Sequence, residues 1–325
     1  MSGLPRRLAL APHHTVTATG PRTRRIGSGP AGTRVLEDLS PAATGALDRL
    51  GAGPRSVADL LADVPPGGRC ADLLVLLGVL LRAGLLVDAD LADRARRRRR
   101  SALVEVRGDS ALACAVVAGL ARAGIGHVHP RVTGALGSAD VAVGLPPTGG
   151  RRARVLHDLL AAAGVRSGPA GRVAPDLVVL AGAPGAVPDD GVVQLVVTLR
   201  DGRGVVGPLV LPGGGPCRRC REDVADASAV VPGPRTAEPH VVAATAALAV
   251  AQVLAALDGP VGGHPPPASW RTELELATDL ASITARPLPG RPGCPCSAAT
   301  TAVTGIMTTP TARCAPPGTG WTIVG

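Results

Sequence analysis

The sequence predicts an α/β protein in which an N-terminal winged-helix-like unit precedes a doubly wound, Rossmann-type domain. From Ser101 onward short apolar strands alternate with helices, the pattern of a mostly parallel sheet with crossover helices. The first hundred residues instead hold short strands and three successive helical segments. At 325 residues and 32.3 kDa the chain is long enough for two domains, each with a buried core. An Arg run marks the division, giving expected boundaries of 1–93, a linker at 94–100, a domain at 101–298 and a loosely ordered tail at 299–325.

In the first unit Leu8–Leu10, Thr15–Thr19 and Arg25–Gly27 read as strands. Ser40 and Pro41 start a helix over Ala42–Leu50, with Ser capping and Pro in the first position. Ser56 caps a second helix through Asp63, its apolar Val57, Leu60 and Leu61 on one face. Gly67 and Gly68 interrupt the chain before Asp72–Ala83, which Gly84 stops ahead of a strand through Asp88. In a DNA-binding winged helix Asp72–Arg82 would be the reader, yet it offers almost no polar side chain to base edges. Five consecutive Arg from Arg96 read either as a solvated linker or as a patch that attracts an anionic partner.

The second unit reads as strands at Ala102–Arg107, Gly126–His129, Asp176–Ala181, Val192–Leu199 and Val205–Leu211. Helices are expected at Ala111–Ala123 and Arg151–Ala163. Val241–Leu257 is an apolar run of 17 residues; spanning a bilayer takes about 20, so it reads as a buried helix. Met1–Leu10 lacks the apolar stretch of a secretory signal, and a cytoplasmic protein is expected.

Composition excludes several chemistries. All 34 basic residues are Arg against 25 acids, for a net charge of +9, and the chain has no Lys. A P-loop and Schiff-base chemistry both need a Lys. Aromatics are 1% of the chain, with two Trp and no Phe or Tyr, so base-stacking platforms are absent and Leu, Val and Ala must build the core.

Thiolate spacing is the strongest local signal. Cys217-Arg-Arg-Cys220 and Cys294-Pro-Cys296 each sit among Gly and Pro, where two close pairs can converge on a tetrahedral zinc. Four Cys ligands would leave no open position, so the zinc would be structural. Disulfides within each pair would need very tight loops. Cys70 and Cys114 fall in apolar helices and read as small core residues.

A second signal is a degraded nucleotide loop. Gly108-Asp-Ser-Ala-Leu-Ala113 follows a strand and opens a helix, as a G-x-G-x-x-G loop does. Only the first glycine is present: Ser110 and Ala113 hold the second and third places. The following strand carries His127, His129 and Pro130 where a ribose-binding carboxylate is expected.

On these residues the second domain resembles the E1-like (ThiF/MoeB-type) adenylating family. Val206–Gly213 leading into Pro216-Cys217-Arg-Arg-Cys220, and the Cys294-Pro-Cys296 pair, resemble that family's zinc knuckle in the form found with azole-forming peptide pathways. Arg25-Ile-Gly27, Arg55–Leu61 and Leu81–Leu86 are similar to the peptide-recognition element of that subfamily. The implied group is the E1-like, leader-peptide-binding component of thiazole/oxazole-modified microcin biosynthesis. The resemblance implies a zinc on Cys217, Cys220, Cys294 and Cys296. It also implies positions for a ribose Asp, a catalytic Lys and a magnesium-binding Asp. Here those positions read His129 or Pro130, Arg152, and Ala181-Gly182, and Arg291 stands where relatives have His.

Losing these groups together implies a scaffold that does not use ATP. It would bind a precursor peptide's leader and present it to a YcaO-type cyclodehydratase. The peptide would add as a strand beside His14, Val16 and Thr17, against a helix face carrying Leu73, Leu77 and Leu80. Arg22, Arg24 and Arg25 would suit an acidic leader. The alternatives are an ATP-dependent adenylyltransferase acting on a C-terminal carboxylate, with Arg152 replacing Lys, and a zinc-containing nucleic-acid binder. Specific nucleic-acid recognition and membrane insertion are not expected. The sequence leaves a homodimer open.

Overall fold

The computed structural model describes residues 3–29, 33–65, 68–147, 149–169, 173–182, 191–211, 236–262, 266–290 and 322–324. The chain divides into two compact units, Met1–Arg94 with Pro310–Gly325, and Ala95–Thr309. The division falls inside a helix, α4 (Ala89–Ser101), so the Arg run expected as a linker is helical. Asp88 accepts from the backbone N–H groups of Asp90 and Leu91 to open it, and Arg98–Arg100 fill its last turn, where cations complement the helix dipole.

In the first unit β1 (Arg7–Leu10) pairs antiparallel with β5 (Arg55–Ser56) and β6 (Leu86–Asp88). Against this sheet lie α1 (Pro41–Gly51), α2 (Val57–Ala62) and α3 (Cys70–Arg82). The Ser40 hydroxyl accepts from the Ala43 N–H at 3.2 Å and the Ser56 hydroxyl from Asp59 at 3.0 Å, so both expected caps form. Gly84, at φ +72°, ends α3 in the left-handed region, and the Leu85 N–H returns to the Leu80 carbonyl. The core is almost entirely Leu: Leu8, Leu47, Leu50, Leu60, Leu76, Leu77, Leu80 and Leu86 are all essentially inaccessible. Cys70, expected in a core, is exposed at the start of α3.

A separate antiparallel sheet follows the order β15-β4-β3-β2. It contains β2 (Val16–Gly20), β3 (Thr23–Ile26), β4 (Arg34–Glu37) and β15 (Thr322–Val324). Thus the end of the tail expected to be loose pairs with β4, in register Ile323 to Leu36. Neither β4 nor β15 carries a turn or alternation signal strong enough to find from the sequence.

The second unit is built on an eight-stranded sheet of order β14-β13-β12-β11-β10-β7-β8-β9. Its parallel part comprises β7 (Leu103–Gly108), β8 (His127–Val132), β9 (Arg166–Ser167), β10 (Leu177–Ala181) and β11 (Val193–Arg200). An antiparallel meander of β12 (Arg203–Val210), β13 (Thr272–Leu276) and β14 (Ile283–Pro287) extends it. The described helices α5 (Ala111–Arg122), α7 (Arg152–Ala162) and α8 (Pro239–Gly262) share one apolar cluster with a single face of the sheet, including Val104, Val106, Val128, Val179 and Val197. The large parallel sheet is that of a mixed α/β, Rossmann-like fold. The other strand face carries Glu105, Arg107, His129, Arg131, Glu273 and Glu275 in ion pairs, beside the buried Leu103, Val178, Leu180 and Val205.

Pro239–Gly259 in α8 is apolar and long enough to cross a membrane by length and composition, but half of it is buried within this unit. It lies directly on β12, where a Cβ at Gly204 would overlap the Thr245 side chain.

Candidate functional site: a switch-point crevice and an open strand edge

The parallel strands run β7, then β8 and β9 to one side, then β10 to the other, so the strand order reverses between β7 and β10. Ligands of open α/β sheets bind at the carboxyl ends of the strands flanking such a switch. Here those ends are Gly108 and Ala181, which lie at one level in the β7–β10 register. A Cβ at Gly108 would overlap the Ala181 carbonyl and sit 2.9 Å from Ala113 Cβ. The first glycine and the small third residue therefore still serve close strand–helix packing. Ser110 is different. It caps α5 by position without a side-chain cap bond, and its hydroxyl is buried and unpartnered. A Cβ at Gly182, where φ is +98°, would lie 2.9 Å from that hydroxyl oxygen. The second-place side chain thus stands in the gap between the helix start and the end of β10.

Arg152, at the start of α7, crosses the same crevice. Its Nε donates to Asp140 Oδ1 at 2.9 Å and one terminal nitrogen to Asp140 Oδ2 at 3.0 Å. The other terminal nitrogen donates to the Asp109 carbonyl at 2.6 Å and lies 3.4 Å from the Thr133 carbonyl. One guanidinium therefore ties α6 (Ser138–Ala142) to the ends of both β7 and β8. Asp140 is wholly buried. Burial alone would push its carboxyl up, but hydrogen bonds from Arg152 and the Gly137 N–H outweigh that and hold it below the usual range. Burial and the neighbouring Asp140 push the Cys114 thiol up to about 12, so it stays protonated. Arg152, expected to stand in for a lysine, is thus engaged with the protein groups of Asp140, Asp109 and Thr133. Asp140, which sequence reasoning missed, is its partner; the only local signal is the Gly137-Ser-Ala-Asp140 spacing of a helix start.

His129 does not reach the crevice. β8 runs on to Val132, which stands level with Gly108, so the strand end is Val132-Thr133-Gly134 and not His129-Pro130. His129 lies three residues back, level with Glu105, its Nδ1 3.2 Å from Glu105 Oε2, in a cluster with Arg107 and Arg131. The residues at the end of this strand, Val132 and Thr133, include no carboxylate. Residues 183–190, after Gly182, lie outside the described residues, as do Cys217, Cys220, Arg291, Cys294 and Cys296. Among the described residues no cluster of His, Cys, Asp and Glu could hold a metal.

In the first unit β2 forms the edge of its sheet among the described residues. The Gly27 N–H donates to the Thr15 carbonyl at 3.0 Å, which fixes the phase of the β2–β3 ladder. Residues 15 and 17 then bond inward, and the main-chain groups of Val16 and Ala18 face away from β3. Val16 packs beside α1, 3.4 Å from a Cβ placed on Gly51, whereas Thr17 is exposed. His14 is partly exposed and its Nδ1 is buried without a partner.

The helix flanking this edge is α1 and not α3. Leu73, Leu77 and Leu80 are 3%, 0% and 0% exposed and belong to the Leu core, so they form no groove wall. Arg24 is likewise unavailable: it is buried, and it clasps Asp48 through Nε and a terminal nitrogen at 2.7 Å each. These bonds raise the Arg24 guanidinium and lower the Asp48 carboxyl relative to their ordinary ranges. Arg22 donates to the Leu39 and Asp38 carbonyls, while Arg25 is exposed.

These two features, a switch-point crevice and a preceding unit with an open strand edge, belong to a mixed α/β chain with a large parallel sheet of the Rossmann-like kind. Its structural neighbours are structures of MccB. The microcin C7 biosynthetic enzyme MccB in complex with N-formylated MccA matches 89% of this chain and 98% of its own at 14% identity, TM-score 0.61. E. coli MccB with ATP matches the same shares at 15% identity, TM-score 0.60. PaaA matches 85% of this chain and 98% of its own at 13% identity, TM-score 0.52. No protein-family model and no curated protein matches the sequence. At such identities the likeness is one of fold.

Proposed function

We propose that this chain is a non-catalytic, cytoplasmic E1-like scaffold. It binds the leader of a ribosomally made precursor peptide through a winged-helix-like first unit and presents the peptide to a YcaO-type cyclodehydratase for azoline formation. The observation that carries the proposal is the Arg152 clasp. The one cation at the lysine position is spent on Asp140, Asp109 and Thr133, and the Ser110 side chain stands beside it in the crevice. A phosphate would have to displace both. The open β2 edge supports peptide addition: Val16 and Ala18 offer main-chain groups to an incoming strand, with α1 beside it and Arg25 exposed for an acidic residue. That MccB has been solved with the peptide MccA supports a peptide as ligand.

Zinc on Cys217, Cys220, Cys294 and Cys296 belongs to the same reading and would staple the second unit without taking part in chemistry. The test is fluorescence anisotropy of a labelled leader peptide with the purified protein, in the absence of ATP. Saturable binding is expected, together with no peptide-dependent ATP–pyrophosphate exchange. Robust exchange would instead establish the adenylyltransferase reading. Absence of binding to the correct precursor would overturn the scaffold reading.

A further inference from the structure

At the other end of the second unit's sheet, where β10 and β11 begin and β12 ends, lies a cavity of about 330 Å³. Its walls are mainly apolar: Leu177, Val193, Leu209, Ala256 and Trp270 face it from three strands, the last turns of α8 and the turn before β13. Small-molecule sites begin at about this size and have this character. Two details single it out from an ordinary packing gap. Among the described residues the buried Trp270 indole N–H has no acceptor, and the buried hydroxyl of the neighbouring Ser269, a residue with no exposed surface, has no partner either. A buried indole N–H ordinarily finds a partner, and leaving it without one is unfavourable. Trp270 lines the cavity, so an acceptor placed there can supply that partner.

Charge narrows the ligand. Arg98 and Asp176 also line the cavity and sit 3.9 Å apart, both partly exposed, so they mark its wet side. Arg99 nearby is closed on Asp258. Among the described lining residues the cation and the carboxylate balance, which leaves no counter-charge there for an ionised headgroup in an apolar space. We propose that this cavity binds an uncharged, mainly aliphatic molecule carrying one hydrogen-bond acceptor, such as a ketone, ester or amide, with the acceptor on Trp270 Nε1. The site lies at the opposite end of the strands from Gly108 and Gly182 and does not depend on the leader-binding reading.

Trp270 can report its own occupancy, because Trp321 is the chain's other Trp and there is no Tyr or Phe. The experiment titrates 2-nonanone into the full-length Trp321→Leu protein, reads indole emission, and repeats the titration by calorimetry on the wild type. Saturable binding is expected. Nonanoate should bind about tenfold more weakly. Trp270→Phe should weaken 2-nonanone about three- to tenfold, the loss of one hydrogen bond. Ala256→Trp, which fills the cavity, should abolish binding; if that variant does not fold by circular dichroism, Ala255→Met serves in its place. The proposal is overturned if 2-nonanone shows no saturable binding, if nonanoate binds as tightly, or if the folded cavity-filling variant binds unchanged.

Discussion

Arg152 and Asp140 form a two-pronged clasp, 2.9 and 3.0 Å long, around a carboxylate with no exposed surface. The same guanidinium also donates to the Asp109 carbonyl, so the pair ties the loop after β7 to α6. Breaking it from the Arg side should leave a buried, uncompensated charge. Arg152→Ala is expected to lower stability by about 3 kcal/mol in urea unfolding. The double variant Arg152→Met, Asp140→Leu should recover much of that loss, since replacing both partners removes the unpaired charge.

The clasp also sets a pH dependence. Asp140 is held below its ordinary carboxyl value in the folded protein, and an unfolded Asp titrates near about 3.9. Its contribution is therefore fully present above about pH 4 and is lost as pH falls through the lower, folded value. Acid unfolding followed by circular dichroism should show a stability decline below about pH 4 that is smaller in Asp140→Asn, and the wild-type minus variant difference should be flat between about pH 5 and 8.

At the β2 edge, Ala18→Pro should remove one outward N–H without touching the β2–β3 ladder, as proline is tolerated on an edge strand. Leader affinity should fall about tenfold or more while Tm stays close to the wild type. Thr17→Pro, which removes an inward N–H, should lower Tm as well. Equal affinity in wild type and Ala18→Pro would move the peptide to another surface.

Asp48→Ala leaves Arg24 buried without its carboxylate. Because Asp48 is half exposed, the expected loss is modest, about 1 kcal/mol, and a weaker leader affinity beyond that would mean the pair shapes the edge as well.

If the four thiolates hold zinc, the purified protein should carry about one zinc per chain by plasma mass spectrometry. Cys217→Ser and Cys294→Ser should each reduce that content and lower Tm, whereas Cys114→Ala should alter neither the zinc nor the ligand count.

Local signals in the sequence were sufficient for most helices and for the parallel strands β7, β10 and β11, but not for β9 or the full length of β8. Ser40-Pro41, Ser56 and Gly84 each act within a few residues of themselves, and the structure places each where its chemistry requires. Periodicity likewise marked α5, α7, α8 and β10. What depended on distant partners was not legible. β15 is a strand only because β4 offers it a ladder, and β8 runs on through Pro130 because β7 holds it in register. Leu73, Leu77 and Leu80 lie on an apolar helix face, but whether such a face lines a groove or a core is set by what packs on it; here the Leu core does.

By itself, then, the sequence determined that no Lys can stand in the crevice and that a serine holds the loop's second place. That is a property of composition and order, which folding cannot alter. Only the tertiary structure decided what the remaining side chains do there. Nothing in the sequence ties Arg152 to Asp140, which lies 12 residues away and reaches it through the fold alone, and a buried carboxylate holds a guanidinium against any ligand that must first displace it.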